Sequence, residues 1–418
     1  MSHFIVRKTQ RTDRKIMENI KILGITAITD IAGAGQKCTA VAIEYNVKID
    51  TNKLKTQDFT VTGRTVTNIY ANNEAAHSFE KMNDCGCFVI LELDSSNELG
   101  NTREMVGRGP HGKSVFHKAV VEVVQKNDIF STLGTVCPGS EQSFISDKTV
   151  DSLADRFREC SFDIPGTDKK LNYQLFIPQN YSSTKKYPLV LFIHDAGACA
   201  DEPIGPLAQG NGAVIWSTKV EQEKHECFIV APCYPTTCAN DDFEVTPEAE
   251  YTVELVKEIM NIYPIDPERI YGTGQSMGCM MLCEINIRYP ELFAACLLVA
   301  GQWNPDTMSV CKNKNFWIIV SQGDAKAFPI MGACVNSMES AGGKVTRGSF
   351  SAKATDEELK LIIEKLDSDK NNIHFTWFEE NSLIPEGTES HPGLHHVLTW
   401  ARAYNITALH DWIFRQVL

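Results

Sequence analysis

The sequence predicts a mostly parallel α/β sheet with helices on both faces, preceded by a small all-β sandwich. Three observations carry that reading. After residue 146, short apolar strands alternate with helix-periodic segments, the pattern of βαβ units. One strand, 188–193 (PLVLFI), is apolar throughout, as a central strand buried on both faces must be. Over residues 20–145, by contrast, short β-branched runs are separated by polar turns without helical segments. A length of 418 residues accommodates two domains with full cores. The expected division is an N-terminal segment 1–19, a β domain 20–145 and an α/β domain 146–418.

The β domain is expected to hold strands at 38–49, 59–70, 87–93 and 114–124. In the first, Ala40, Ala42, Glu44 and Asn46 alternate with Val41, Ile43, Tyr45 and Val47, a period of two that predicts one buried face. No cluster there could do chemistry, so a structural or binding role is expected. A short helix is expected at 147–158. Beyond it, strands follow at 171–177, 188–193, 228–231, 270–273, 297–300 and 317–321. A helix at 246–260, begun by Thr246-Pro247, buries Val253, Val256, Ile259 and Met260 on one stripe.

Composition excludes several classes. Forty basic and 53 acidic residues give a net charge of −13, with no long Lys/Arg run, so no footprint for nucleic acid or an anionic membrane is expected. No apolar run reaches the ~18–20 residues of a membrane span, and the N-terminus lacks the apolar stretch of a signal peptide. Fourteen cysteines form no CxxC pair and no zinc-ligand spacing, so free thiols in a reducing cytoplasm and no metal are expected. Asn240-Asp241-Asp242-Phe243, which has no EF-hand spacing, reads as a surface turn or a loop over the site.

The sharpest chemical signal is Gly274-Gln275-Ser276-Met277-Gly278, between a short strand and an apolar helical segment at 279–287. Such a serine occupies a strained strand-to-helix turn that flanking glycines allow to pack closely. The turn lifts the Ser276 hydroxyl above the carboxyl edge of the sheet and aims the Met277 N–H at a developing oxyanion. A second oxyanion donor is expected from the loop His194-Asp195-Ala196-Gly197, as the N–H of Ala196 or Asp195. A carboxylate would oppose the oxyanion, so the Asp195 side chain should turn away. His194 should brace the loop.

A serine hydroxyl needs a base, and the base needs an orienting acid. Asp324 follows the strand at 317–321, and His395-His396 precede a final amphipathic helix at 407–414. The order Ser276, Asp324, His396 suits a triad. Gln275, Gln302 and Trp303 stand on the same sheet edge and are candidates to line the substrate pocket, a packing role being equally open for Trp303.

Residues 160–418 resemble the α/β-hydrolase superfamily, specifically bacterial esterases and predicted peptidases of the polyhydroxybutyrate depolymerase-like and feruloyl-esterase-like kind. The resemblance is carried by YPLVLFIHDAGA (187–198), RIYGTGQSMG (269–278), YPELFAACLLVAGQW (289–303), VSQGDAKAFP (320–329) and HHVLTWARAY (395–404). Some members carry an N-terminal immunoglobulin-like domain, which would match 20–145. The resemblance implies hydrolysis of a small-molecule carboxylic ester without a cofactor, Ser276 being the nucleophile and His396 the base. His396 is preferred to His395 because Trp400 and Tyr404 stand four and eight residues after it, as in the relatives. Many relatives place the acid at the position of Lys326 here; Asp324 is the substitute, with Asp306 the alternative. Peptidase action and a catalytically dead binding protein remain rival readings, and the β domain is the candidate surface for self-association.

Overall fold

The computed structural model describes residues 19–33, 35–78, 82–107 and 113–418. The expected N-terminal segment 1–19 therefore lies outside the described residues except for Asn19. The chain forms two compact units that do not follow a single cut. The first comprises Met1–Ile28, Thr39–Leu99 and Val120–Val150; the second comprises Thr29–Cys38, Gly100–Ala119 and Asp151–Leu418. Among the described residues, no helix is long and apolar enough to cross a membrane.

The first unit is all β, with antiparallel pairings. A five-stranded sheet runs in the order Lys148–Asp151, Ile22–Ala32, Gly35–Asp50, Cys85–Leu93, Val66–Asn72. A three-stranded sheet runs Ser143–Ile145, Glu122–Gln125, Phe59–Val61. Ile28, Ala40, Ala42, Tyr70 and Ile90 form a core cluster. Both Ala40-Ala42 and Val41-Ile43 are buried, so this stretch is covered on two faces rather than one. Three expectations need correction. The run 59–70 is two strands, because Gly63 turns the chain at φ +68°. The run 114–124 is two strands in different sheets, Lys113–Phe116 and Glu122–Gln125. In place of the helix at 147–158 there is a strand, Lys148–Asp151, and a 3-10 turn, Ala154–Arg156. The Asp151 carboxylate accepts the N–H groups of Leu153 and Ala154, which fixes that turn locally.

The second unit is built on a nine-stranded sheet. Its strands are β1 (Arg158–Asp163), β2 (Lys170–Phe176), β3 (Tyr187–Ile193), β4 (Phe228–Cys233), β5 (Ile265–Gln275), β6 (Ala295–Val299), β7 (Phe316–Ser321), β8 (Val345–Phe350) and β9 (Ile373–Phe378). They lie in the order 1-2-4-3-5-6-7-9-8. β1 and β2 are antiparallel, as are β2 and β4; every other pair is parallel. β8 and β9 extend the sheet beyond the strands expected from sequence.

β3 shows why its run is apolar throughout. Leu189, Leu191 and Ile193 join a core on one face, and Val190 and Phe192 a core on the other. Helices α1 (Glu248–Ile262), α2 (Met277–Arg288) and α3 (Ala327–Ser340) cover the first face. Helices α4 (Asp356–Leu366), α5 (Pro392–Ala403) and α6 (Thr407–Phe414) cover the second, burying Leu359, Trp400 and Trp412. Each such side chain removed from water contributes ~1.5–3 kcal/mol. The fourteen cysteines are free thiols, most of them buried.

Candidate active site

β3 and β5 pair in parallel with Ile193 opposite Gly274, so the loops leaving them emerge side by side at the carboxyl edge. Ser276 is the first residue after β5 and the cap of α2, at φ 52° and ψ −117°. That left-handed conformation is costly for a residue with a side chain, by roughly 1–3 kcal/mol, and persists only where the surroundings impose it. The surroundings here are backbone. A Cβ on Gly278 would lie 2.0 Å from the Ile193 carbonyl oxygen, and one on Gly274 would lie 2.8 Å from that same oxygen and from the Gly278 carbonyl carbon. Both glycines are thus dictated by the close approach of α2 to the end of β3. Ser276 N–H donates to the Val299 carbonyl, tying the turn to β6.

The Ser276 hydroxyl lies 2.9 Å from His396 Nε2, and His396 Nδ1 lies 2.5 Å from Asp324 Oδ2. Residues separated by 120 positions thus meet in one hydrogen-bonded line. His396 sits on α5, whose start is set by His391, capping Leu394 N–H, and Pro392 in the first turn. Trp400, one turn on, stands edge-to-face against the imidazole at 5.2 Å. Tyr404 accepts a hydrogen bond from Thr273 Oγ1, which fixes the end of α5 to β5.

Asp324 follows β7, three residues before the start of α3. One carboxylate oxygen accepts the N–H groups of Lys326 and Ala327, leaving the other for the imidazole. Burial pushes this carboxyl up, but the His396 hydrogen bond and charge and the two backbone donors outweigh it, holding it below the usual aspartate value. His396 keeps 28% of its side chain exposed while Asp324 keeps 4%, so the line opens to solvent at its serine–histidine end.

The neighbouring histidine does something else. His395 is buried, with Nδ1 beside the Ser321 hydroxyl and Nε2 beside that of Ser390. Its ring occupies the space above Gly323, where a Cβ would come within 2.4 Å. Asp306 is exposed in the first turn of a short helix, Pro305–Met308, and its N–H is capped by Asn304. Lys326 turns its ammonium to Asp241 at 2.6 Å.

In the facing loop, His194 is fully buried. The Tyr234 N–H donates to its Nε2, so Nδ1 carries the proton and donates to the Asp195 carbonyl. Burial lowers the pKa of this imidazole, in keeping with a neutral ring bracing the loop. Asp195 is buried and its carboxylate accepts from Gln275 Nε2 at 3.1 Å, whereas Ala196 and Gly197 reach the surface.

Three expected pocket residues take other roles. Gln275 is fully buried, its amide donating to Asp195 and Gln209, and has no surface to offer a ligand. Trp303 is core: 1% exposed, its indole N–H donating to Glu284 and its ring against Phe243. Gln302 is buried and donates to Asp241, which anchors the loop 236–246. A cavity of about 930 Å³ is lined by that loop with Glu284 and Arg288 of α2; none of Ser276, Asp324 and His396 lines it.

Two residues missed by the sequence reading complete the loop. The strands Arg103–Val106 and Lys113–Phe116 form a hairpin of the second unit. Arg103 Nη2 and the Ser114 hydroxyl both donate to the Gly197 carbonyl at 2.6 Å, and Arg103 Nε donates to Ser114. The same hairpin receives the Cys199 carbonyl on Ser114 N–H. Nothing local in the sequence marks these residues, since the contact spans 94 positions.

Comparison with known proteins agrees with this architecture. Residues 24–138 match the esterase Ig-like N-terminal domain, and residues 171–345 match the esterase PHB depolymerase family. A thermostable esterase of known structure shares 26% identity, with a TM-score of 0.78 over 95% of this chain and 100% of that one. A mutant feruloyl esterase module from Clostridium thermocellum, solved with sinapinate, shares 13% identity at a TM-score of 0.39, over 61% of this chain and 89% of that one. A ferulic acid esterase shares 14% identity at a TM-score of 0.37, over 62% of this chain and 98% of that one. No curated protein matches the chain in sequence. The chain joins an Ig-like N-terminal esterase domain to an esterase domain of the PHB depolymerase family on an α/β-hydrolase fold, and it is a carboxylic-ester hydrolase.

Proposed function

We propose that hydrolysis proceeds in two acyl-transfer steps through a Ser276–His396–Asp324 triad. His396 Nε2 accepts the Ser276 proton as the hydroxyl oxygen attacks the ester carbonyl, and Asp324 stabilises the imidazolium through Nδ1. Collapse of the tetrahedral intermediate releases the alcohol, which takes the proton back from His396. Water then attacks the acyl-serine by the same relay and frees the acid. The observation that carries this reading is the continuous line of hydrogen bonds, 2.9 Å and then 2.5 Å, ending on a serine held in a strained turn at a helix start.

The oxyanion is assigned to the N–H groups of Met277 and Ala196. Met277 opens α2, where the first N–H groups have no intrahelical acceptor. Ala196 is favoured over Asp195 because it reaches the surface while Asp195 is buried with its carboxylate engaged. Each donor is worth about 3 kcal/mol of barrier.

The test is Ser276→Ala assayed on p-nitrophenyl esters of increasing acyl length, with a fluorophosphonate probe on both forms. Wild-type protein should be labelled at Ser276, and the variant should lose both labelling and about 10⁴-fold or more of its turnover. Retained turnover in the variant would remove Ser276 from the chemistry.

A further inference from the structure

The opposite edge of the sheet carries a feature that the ester chemistry does not use. A cavity of about 730 Å³ lies at the amino end of β3, lined by Pro188 of that strand and by Arg269 of β5 beside it. These residues each precede a member of the paired positions Leu189 and Ile270. Arg269 stands seven residues before Ser276 on β5, so this cavity is roughly 20 Å along the strand from the serine.

Its lining is cationic in a chain whose net charge is −13. Arg156, Lys185, Lys186, Lys219, Lys224 and Arg269 contribute six positive side chains against two carboxylates, Glu223 and Glu226. Both carboxylates are already engaged, Glu226 by Lys185 and Glu223 by Lys219. Lys224 and His225 share Asp411. Arg156, Lys186 and Arg269 have no carboxylate partner among the described residues. Arg156 is half-buried over the Phe176 ring at 5.3 Å, and Arg269 is half-buried beside Tyr271. Cations that have lost part of their hydration without gaining a counter-ion are costly, and an anion between them offsets that cost.

We propose that this cavity is a binding site for a small oligophosphate, either free or as the phosphate chain of a nucleotide. Two guanidinium forks match phosphate oxygens bidentately, and the flanking lysines supply flexible point charges. A terminal phosphate alone brings roughly 1.5 to 2 negative charges at pH 7, so a short chain neutralises the excess in one compact body. The volume is within the roughly 300–1,000 Å³ of ordinary ligand sites. The site is independent of the triad, which faces the other edge.

The experiment is calorimetric titration of the full-length protein in low-salt Tris, without divalent cations. The titrants are orthophosphate, pyrophosphate, tripolyphosphate, ATP and citrate. One equivalent of tripolyphosphate should bind, more tightly than pyrophosphate and far more tightly than orthophosphate, and affinity should fall steeply with added salt. ATP binding more tightly than tripolyphosphate identifies a nucleotide site; equal affinity identifies the phosphate chain alone. Arg156→Glu and Arg269→Glu should each weaken binding by about tenfold or more, with p-nitrophenyl ester turnover unchanged as evidence of folding. Lys186→Glu, at an exposed side chain, gives the same test without risk to the core. No binding of tripolyphosphate, undiminished affinity in the folded variants, or citrate binding as tightly as tripolyphosphate would each overturn the assignment.

Discussion

The two edges of the nine-stranded sheet are built by different means. At the carboxyl edge, position is enforced by backbone: a strained serine, glycines pressed on a neighbouring carbonyl and a carboxylate held by two N–H groups. At the amino edge, the lining consists of long side chains on separate segments, most of them exposed and individually movable. Proton transfer along a line of three groups fails when atoms shift by a fraction of an ångström, so it requires rigid support. Attraction of a polyanion falls off slowly with distance and tolerates such shifts. The contrast predicts that the two edges respond very differently to substitution.

Gly278→Ala should have the largest effect. The added methyl group would meet the Ile193 carbonyl at 2.0 Å, with no flexible neighbour to yield. The expected result is turnover near background and a thermal midpoint lowered by a cost of at least about 3 kcal/mol. Lys219→Ala at the opposite edge removes a whole exposed side chain and should change stability by no more than about 0.5 kcal/mol. Comparable losses in the two melting curves would break the comparison.

A smaller effect is expected from Arg103→Ala. The Gly197 carbonyl would keep Ser114 but lose the guanidinium, letting the loop proposed to hold the oxyanion drift. kcat should fall about tenfold with little change in KM, and Arg103→Lys should recover part of it. A raised KM at constant kcat would instead mean that Arg103 touches substrate.

The smallest effect separates the interior of the sheet from both edges. His374 in β9 is fully buried, stacked on Trp317 at 4.2 Å, and burial holds its pKa down to about 4. An unfolded chain takes up that proton near pH 6.5, so the folded state loses stability as pH falls from about 6.5 towards 4. His374→Phe keeps the stack and removes the proton. Its midpoint should drop less than that of the wild type between pH 7 and pH 5, by roughly 2–4 °C. Parallel slopes would show that His374 does not titrate there.

Where the sequence was legible, local chemistry dictated position. The glycines around Ser276 advertise close backbone packing, and the run at 188–193 advertises burial on two faces. The aromatic residues one and two turns after His396 mark the face of α5 that carries it, while His395 is rotated inward. Polarity near a motif proved a poor guide to orientation: Gln275 and Gln302 stand on the right edge but point into protein, and Trp303 takes the packing role of its two readings. Interactions between distant segments left no local mark, which is why neither the Arg103–Ser114 clasp nor the cationic cavity could be read in advance. The cavity draws on Arg156, the pair Lys185-Lys186 and Arg269, too scattered to form a long basic run.

The compact unit that carries the proposed triad also claims Thr29–Cys38 and Gly100–Ala119. The tip of the first hairpin brings Gly33 so close to Ala401 of the His396 helix that a Cβ would come within 2.7 Å, and Arg103 and Ser114 grip the 194–197 loop through its Gly197 carbonyl. The esterase half is therefore not a cassette that can be lifted out at residue 146. A transplant beginning there would arrive with its His396 helix unbacked and its loop unclasped, so chimeras of this architecture must exchange the interleaved upstream segments together with the hydrolase core.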